Sequence, residues 1–325
     1  MKLFGKRTES AAVKIFFATD IHGSERCFRK FINAAQFYGV NILILGGDIT
    51  GKVVVPVIEE SGGYRATVHH QMQKVSRSEL PQLFKEIRSN GFYYYLTTPD
   101  EVDFLSGHPE AQEEMFHRVI KDSLKEWFEL AEERLRGTDV KVYVSPGNDD
   151  DDAVLAALNE GPFVINPDET VREIADGITM MSFGWSNRTP WDSPRELDEE
   201  EIARRLERMA REVNDFDSTI VNIHVPPYNT SLDKAPRLTD DLKPIVQAGE
   251  VQMASVGSVA VREFILRHQP LLGLHGHIHE SAAITKLGKS TCINPGSEYS
   301  DGTLKGALVT IDIRKGTLMR QLIAG

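Results

Sequence analysis

Residues 13–22 read VKIFFATDIH, and this stretch joins an apolar run to an Asp-x-His pair. A run of this length that is rich in Ile and Phe is typical of a strand buried on both faces. Because side chains alternate along an extended chain, Asp20 and His22 should point to the same side. The end of the first predicted strand therefore carries two side chains that can bind a metal ion.

Four more clusters of Asp, Asn and His follow apolar runs further along the chain. They are Gly47-Asp48 after 41–45, Gly147-Asn148-Asp149 after 140–144, Asn222-Ile223-His224 after 218–221, and His275-Gly276-His277-Ile278-His279 after 271–274. In α/β proteins the ends of several strands meet at one edge of a sheet, where ligands bind. Mixed carboxylate, amide and imidazole donors suit borderline first-row divalent ions. The five clusters together predict a metal site at that edge.

The rest of the chain alternates between strand-like and helix-like segments, which favours α/β layering. Residues 13–48 read as one βαβ unit with an apolar helical stripe between 24 and 38. Further helices are expected at 79–88, 110–136, 152–158, 198–213 and 258–268, and a strand around 178–183. In the tail, 282–285, 290–293 and 308–313 are expected to be antiparallel strands that close a second sheet.

The interval between Asp48 and the strand at 140 is long for a connection within a compact domain. We predict a single domain of residues 1–325 with an insertion at about 52–139. Inside the insertion, 53–55 and 62–68 are expected to pair as strands. The insertion is expected to lean over the sheet edge as a cap.

The composition excludes some classes of protein. The chain has 325 residues, of which 41% are hydrophobic, and no apolar run approaches the roughly 20 residues that span a bilayer. A net charge of −11 argues against long nucleic acid, whose phosphates require a basic surface. Met1–Ser10 is polar and basic, which predicts no export and a cytoplasmic location. Cys27 and Cys292 lie far apart, which predicts reduced thiols and excludes a zinc-thiolate site.

The five clusters resemble, in order, the pattern of the calcineurin-like metallophosphoesterase superfamily. That pattern is Asp-x-His, Gly-Asp, Gly-Asn-His-Asp/Glu, a His at a strand end, and Gly-His-x-His. Asn294-Pro295-Gly296-Ser297 also resembles the family's Asn-Pro-Gly-Ser segment. His224-Val225-Pro226-Pro227 and 274–279 are similar to the branch of cyclic-nucleotide phosphodiesterase-like proteins and predicted phosphohydrolases. The resemblance covers nearly the whole chain and implies a four-layer α-β-β-α sandwich of two mixed β-sheets flanked by helices.

Carried over by motif position, the resemblance implies two divalent metal ions, with Mn²⁺ favoured and Fe, Zn, Ni or Mg as alternatives. Asp20, His22 and His279 would bind the first ion, Asn148, His224 and His277 the second, and Asp48 both. Asn148 and Asp149 hold the family's catalytic positions, while Asp150 and His275 would support the ligands; a purely structural hydrogen-bonding role for His275 is the alternative. The implied reaction is phosphoester hydrolysis by in-line attack of a metal-bridging hydroxide.

The third cluster departs from the family pattern, because Asp149 stands where the family has His. A carboxylate beside two dications should have a lowered pKa, which makes it a poor proton donor. Losing help of this kind typically costs about 10²–10⁴ in rate. The carboxylate would also repel a doubly charged phosphate, so we expect diesters to be favoured over monoesters. The alternative is that Asp149 only hydrogen-bonds to a neighbouring loop.

Two other functions stay open from the sequence. One is a nuclease of the same superfamily, although the chain lacks a basic tract interleaved with aromatic residues. The other is a catalytically weak metal-binding scaffold for protein interactions. The expected partner is a small phosphoester rather than a membrane, and a homo-oligomer is not excluded. Arg26 could contact phosphate or lie on a solvated helix, and Tyr93-Tyr94-Tyr95 could line a substrate groove or have a strand or packing role. Other substrate-binding residues are not identified.

Overall fold

The structure is a computed structural model that describes residues 12–325, so the export prediction from Met1–Ser10 lies outside the described residues. The strands up to residue 200 are β1 (Val13–Ala18), β2 (Ile42–Leu45), β3 (Val54–Glu60), β4 (Gly63–Val68), β5 (Gln71–Val75), β6 (Tyr93–Thr97), β7 (Lys141–Val144), β8 (Thr170–Ala175), β9 (Ile178–Phe183), β10 (Ser186–Asn187) and β11 (Glu196–Leu197). Later strands are β12 (Thr219–Ile223), β13 (Lys234–Pro236), β14 (Val246–Gln247), β15 (Glu250–Val251), β16 (Met253–Ser255), β17 (Leu272–Leu274), β18 (Ala283–Leu287), β19 (Ser290–Asn294), β20 (Lys305–Asp312) and β21 (Thr317–Ala324). The α-helices are α1 (Glu25–Tyr38), α2 (Leu80–Ser89), α3 (Pro99–Gly107), α4 (Pro109–Leu135), α5 (Asp152–Glu160), α6 (Glu199–Ala210) and α7 (Val259–His268).

Two mixed sheets form the centre of the molecule. The first has the order β21-β20-β1-β2-β7, in which β1, β2 and β7 are parallel and β20 is antiparallel to β1. The second has the order β18-β19-β17-β12-β9-β8, with a parallel centre and antiparallel strands at both edges. Parallel central strands explain why their sequences are continuous apolar runs, since both faces are covered.

The expected assignment of the tail is wrong for one strand. β18 and β19 pair antiparallel in the second sheet, as predicted, but the strand predicted at 308–313 is β20 and belongs to the first sheet. Its inward side chains Ala307, Val309 and Ile311 enter the same core that both sheets share. An alternating apolar pattern specifies which face is buried. It does not specify which of two stacked sheets the strand joins.

Three apolar layers confirm the predicted four-layer α-β-β-α sandwich. Side chains of both sheets, including Phe17 and Met180, meet in the central layer. The outer face of the first sheet packs on α1, α4 and α5 through residues such as Phe28. The outer face of the second sheet packs on α6 and α7 through residues such as Phe264. The shared central layer and the helices on both outer faces therefore fix the strand ends of the two sheets relative to one another.

Residues 54–97 form a separate four-stranded sheet with the order β5-β4-β3-β6. β3 and β4 pair antiparallel, and a small core of their side chains packs under α2 through Leu83 and Ile87. The elements β5 and α3 have no counterpart in the sequence predictions. Strand β6 contains Tyr93-Tyr94-Tyr95, for which a strand was one interpretation, and α4 matches the helix expected at 110–136. The division of the chain into one domain and an insertion stays a prediction.

Within residues 12–325, no helix has both the length and the apolar character that would let it cross a membrane.

Candidate metal centre

The five sequence clusters lie at strand ends of both main sheets. Asp20 and His22 follow β1, Asp48 follows β2, and Asn148 follows β7 in the first sheet. In the second sheet, His224 follows β12, and His277 and His279 follow β17. The central layer stacks the two sheets, so their strand ends meet at one edge of the sandwich, as expected for an α/β site.

The structure brings together all seven residues that the resemblance names as ligands. The ligand atoms of Asp20, His22 and His279 lie within 4.8 Å of one another, and so do those of Asp48, His224 and His277. A further group of His22, Asp48 and Asp149 meets the same criterion, so Asp48 faces donors of both sets. Asn148 completes the second set, with Oδ1 3.1 Å from Nε2 of His224.

The spacing between donor atoms matches what a shared ion requires. Oδ1 of Asp20 lies 3.5 Å from Nε2 of His279, and Oδ2 of Asp48 lies 3.4 Å from Nε2 of His224 and 3.8 Å from Nε2 of His22. The Nε2 atoms of His22 and His279 are 3.1 Å apart. Ligands that each lie about 2.1 Å from one ion are separated by about 3 to 3.5 Å.

The backbone is strained at four of these residues. Asp20, His22, Asp48 and His277 have φ values of 53°, 39°, 48° and 67°, in the left-handed region that residues other than glycine rarely adopt. Each such residue costs on the order of 1–3 kcal/mol, and strain of this kind concentrates at functional sites. The rest of the fold therefore holds these donors where local preference would not.

Two glycines in the clusters allow close approach between loops. A Cβ on Gly147 would overlap the carboxylate of Asp48, and a Cβ on Gly276 would overlap Thr19 and the carboxylate of Asp20. Each glycine directly precedes a donor residue in the chain. Close packing therefore requires the glycines of these motifs, while the residues beside them supply the donor atoms. The backbone N–H of His277 donates to both oxygens of Asp20 at 3.0 Å, which orients that carboxylate.

The buried charges of the site shift its pKa values strongly. Burial alone lowers the pKa of His224, but the carboxylates of Asp48 and Asp20 outweigh burial and raise it to about 9. Burial alone raises the pKa of Asp48, but the imidazoles of His224 and His22 hold it well below its usual range. Burial and the charge on His224 lower the pKa of His277 to about 4. The pocket thus favours ionised carboxylates and binds a positive charge.

The donor set fits a pair of divalent cations. Asp20 and Asp48 are 1% and 3% exposed, and the ion pairs that they form in the described part of the chain are with histidines. Buried carboxylates are costly unless cations compensate them. The two carboxylates gain a cationic partner only when the four neighbouring imidazoles bind protons or when the whole donor set, with its one amide, binds metal ions. Mixed N/O sets of this kind suit first-row divalent ions.

Asp150 is a structural support, as expected from its position. Its buried carboxylate accepts hydrogen bonds from the N–H groups of Gly147 (2.8 Å), Ile49 (3.0 Å) and Thr50 (3.1 Å), and from the Thr50 hydroxyl (2.6 Å). Burial and the charge on Asp48 raise its pKa to about 6. One side chain therefore ties the loop that carries Asp48 to the loop that carries Asn148.

Asp149 faces the site and also binds a neighbouring loop. Its Oδ2 lies 4.0 Å from Nδ1 of His22, while its Oδ1 accepts a hydrogen bond from the Ser193 hydroxyl at 2.7 Å. The same oxygen pairs with Nζ of Lys52 at 2.7 Å. The sequence analysis missed both partners. Lys52 follows Asp48 by only four residues, which was a usable signal, whereas nothing in the sequence marks Ser193.

The other supporting residues act on the backbone. His275 is fully buried, and its Nδ1 lies 2.8 Å from the carbonyl oxygen of Ile223, next to His224. Nδ2 of Asn294 donates to the carbonyl of Ile278 at 2.9 Å, and the Ser297 hydroxyl donates to the carbonyl of Asp20 at 2.6 Å. These contacts fix the loops that carry the ligands.

Two further candidates, Arg26 and the Tyr93–Tyr95 stretch, lie outside the groups of metal-binding donors. Arg26 is exposed on α1 beside Gly302. Tyr93 is buried within β6, where its hydroxyl accepts from the N–H of Gly51 at 3.0 Å, while Tyr95 is partly exposed.

Comparison with known proteins supports the fold. No protein-family model matches the chain. The uncharacterized protein MJ1162 of Methanocaldococcus jannaschii is 33% identical over 158 residues, which cover 48% of this chain and 64% of that protein, so the chain spans less than two thirds of this relative. The solved structure of TT1561 of Thermus thermophilus matches 96% of this chain and 99% of its own, with a TM-score of 0.53 and 14% identity. Yfce, a phosphoesterase from E. coli, matches 96% of this chain and 98% of its own with a TM-score of 0.33 and 10% identity, a likeness too low to carry an argument. These comparisons show the fold and leave the family as a resemblance carried by the motifs.

Proposed function

We propose that the protein is a metal-dependent phosphoesterase that binds two divalent ions and acts on small phosphoesters. The observation that carries this proposal is the convergence of seven donors from five strand ends, with Asp48 close to both sets. Two cations held there would polarise the phosphoryl oxygens and make water acidic enough to attack phosphorus at neutral pH. The set of four imidazoles with two carboxylates and an amide suits Mn²⁺ and its first-row neighbours.

The residues of the chain have separate roles in this proposal. Asp20, His22 and His279 hold one cation, Asn148, His224 and His277 hold the other, and Asp48 binds both. Asp150 keeps the Asp48 and Asn148 loops together through its four hydrogen bonds. The strained backbone at Asp20, His22, Asp48 and His277 means that the donors are already placed before metal binds.

Asp149 is the reason to propose that diesters are favoured. Its carboxylate stands near His22 where the resembled family has an imidazole, and a carboxylate beside cations is a poor proton donor. Lys52 offsets part of its negative charge, so the repulsion of phosphate is weaker than the sequence suggested. A diester carries one negative charge and tolerates the remaining repulsion better than a monoester.

The test uses two substrates with the same leaving group, 4-nitrophenyl phosphate and methyl 4-nitrophenyl phosphate, with Mn²⁺. We expect kcat/KM to be about tenfold higher for the diester, because the Asp149 carboxylate repels the doubly charged monoester more strongly than the singly charged diester. His224→Ala should abolish turnover, and the matched His117→Ala on α4 should not. A clear monoester preference would contradict the diester proposal. No turnover of these esters, of cyclic nucleotides or of single-stranded DNA would contradict the phosphoesterase itself.

A second variant tests the role of Asp149 directly. Asp149→His restores an imidazole, which can donate a proton near neutral pH, so turnover of the monoester should rise. Unchanged monoester turnover in a folded variant would mean that Asp149 does not lie beside the leaving group.

A further inference from the structure

The segment that follows β2 forms a groove, and Lys52, four residues after Asp48, is one of its lining residues. The groove has a volume of about 640 Å³, and we call it the insertion groove; it lies between β3 and β6 on one side and α3 and α4 on the other. Its lining is mainly apolar and includes Val54, Val102, Leu105, Met115 and Phe116. The volume is within the range of about 300–1,000 Å³ that is usual for small-molecule sites.

The polar groups on the sheet wall of the groove already have partners. Tyr95 donates its hydroxyl hydrogen to Glu101 at 2.6 Å and accepts from Arg118 at 3.0 Å, while Thr97 donates to Glu101 at 2.8 Å. A ligand that enters the groove therefore meets few free donors or acceptors on this wall. An apolar group gains from burial there, whereas a polar group would lose its hydration without compensation.

Lys52 connects the groove to the metal centre. It lines the groove, and its Nζ is 2.7 Å from Oδ1 of Asp149, whose other oxygen lies 4.0 Å from His22. The ammonium group is thus placed between the apolar lining and the proposed phosphate position. A ligand that spans this distance needs an anionic group at one end and an apolar group at the other.

We propose that the insertion groove binds the apolar organic group of the phosphoester substrate, and that Lys52 holds the phosphate at the end of the groove beside Asp149. This inference rests on the proposed function, because it places the phosphate at the metal centre. The substrate class is a phosphoester with at least one aryl or alkyl substituent large enough to enter the groove. Small, fully polar phosphoesters would use only the metal centre.

A measurement of equilibrium binding tests the groove independently of catalysis. Diphenylphosphinate and dimethylphosphinate carry the same single charge and differ in their apolar groups. Their P–C bonds are not hydrolysed by a phosphoesterase, so calorimetry on the Mn²⁺-loaded protein measures both affinities without turnover. The area that one phenyl group buries predicts at least about tenfold tighter binding of diphenylphosphinate. Ser106→Trp fills the groove from the end of α3 and should remove this preference. Asp103→Trp adds the same bulk to an exposed position of α3 outside the lining and should retain it.

The outcomes distinguish this inference from the proposed function. Equal affinities for the two phosphinates in the wild type, or a preference that survives Ser106→Trp, would overturn the groove proposal and leave the groove to another occupant such as a protein partner. A third outcome is a binding preference that is lost in Ser106→Trp, in a protein that hydrolyses none of the test substrates. That outcome would support the groove proposal and contradict the proposed phosphoesterase function. Circular dichroism confirms that both tryptophan variants are folded.

Discussion

The metal centre and the insertion groove are neighbours, but their residues are held in different ways. The metal centre takes its side chains from five strand ends of two sheets, and most of them are buried and several strained. The groove takes its lining from elements of one segment, β3, β6, α3 and α4, and much of that lining is partly exposed. In the proposed function the donors of the centre would define the chemistry, and the groove would select which substrate reaches them.

The largest expected effect comes from replacing Asp48, the residue that faces both donor sets of the metal centre. Asp48→Asn removes a charge that both cations would share while retaining the size of the side chain. We expect kcat/KM to fall at least about a hundredfold, because even residues that only support metal ligands cost 10–100-fold when lost. Asp152→Asn on exposed α5 is the matched control and should stay within about twofold. Near-normal activity in Asp48→Asn would contradict the role of Asp48.

The support beneath the centre should matter for stability as well. Asp150→Ala leaves the buried N–H groups of Gly147, Ile49 and Thr50 without their acceptor, at about 1–3 kcal/mol for each unsatisfied group. We expect metal-free protein to lose about 3 kcal/mol or more in denaturant unfolding, while Asp152→Ala loses little. An unchanged free energy of unfolding would show that other groups, such as water, replace the carboxylate.

The link between the two regions is Lys52, and its removal should have a smaller effect. Lys52→Met deletes the charge that pairs with Asp149 and retains the length of the side chain. We expect KM for phosphodiesters to rise about tenfold with a smaller change in kcat, because a residue that holds the phosphate contributes mainly to binding. Lys52→Arg should recover part of the loss, and Lys125→Met on exposed α4 should have no effect. Equal losses in kcat and kcat/KM, with KM unchanged, would place Lys52 in the chemical step instead.

The smallest effect concerns pH in the metal-free protein. The folded-state pKa of His224 is raised to about 9 from 6.5, so its protonation stabilises the fold fully below about pH 6.5 and this stabilisation is lost as pH rises through 9. Metal-free protein should therefore unfold at lower urea concentration at pH 9 than at pH 6.5. Binding of Mn²⁺ at pH 7.5 should release about one proton from His224, which calorimetry in buffers of different ionisation enthalpy detects. His224→Asn should abolish both effects, and a wild-type stability that is flat across this range would contradict the assignment.

Sequence motifs predicted the metal centre far better than the groove, for a physical reason. Each ligand cluster directly follows an apolar run, so local sequence specifies both the strand and the donor at its end, as for β1 and Asp20. Ser193 binds Asp149 across 44 positions, a pairing that depends on tertiary packing and leaves no local pattern. The groove was predicted only in part: Tyr93-Tyr94-Tyr95 on β6 were considered for a substrate groove and Tyr95 lines it, whereas the short and largely exposed helix α3 was not predicted. The prediction that the strand at 308–313, which is β20, belongs to the second sheet was wrong for a related reason, because both sheets bury their strands in one common core.

The central claim is that seven donors from five strand ends bind two divalent ions. The most direct measurement is the number of Mn²⁺ ions bound per chain, by titration calorimetry with elemental analysis of the dialysed protein. We predict two ions per chain in the wild type and one or fewer in His277→Ala, with His117→Ala unchanged as the control. Folded wild-type protein that binds no Mn²⁺, Fe²⁺ or Zn²⁺, or a His277→Ala variant that still binds two ions, would contradict the account.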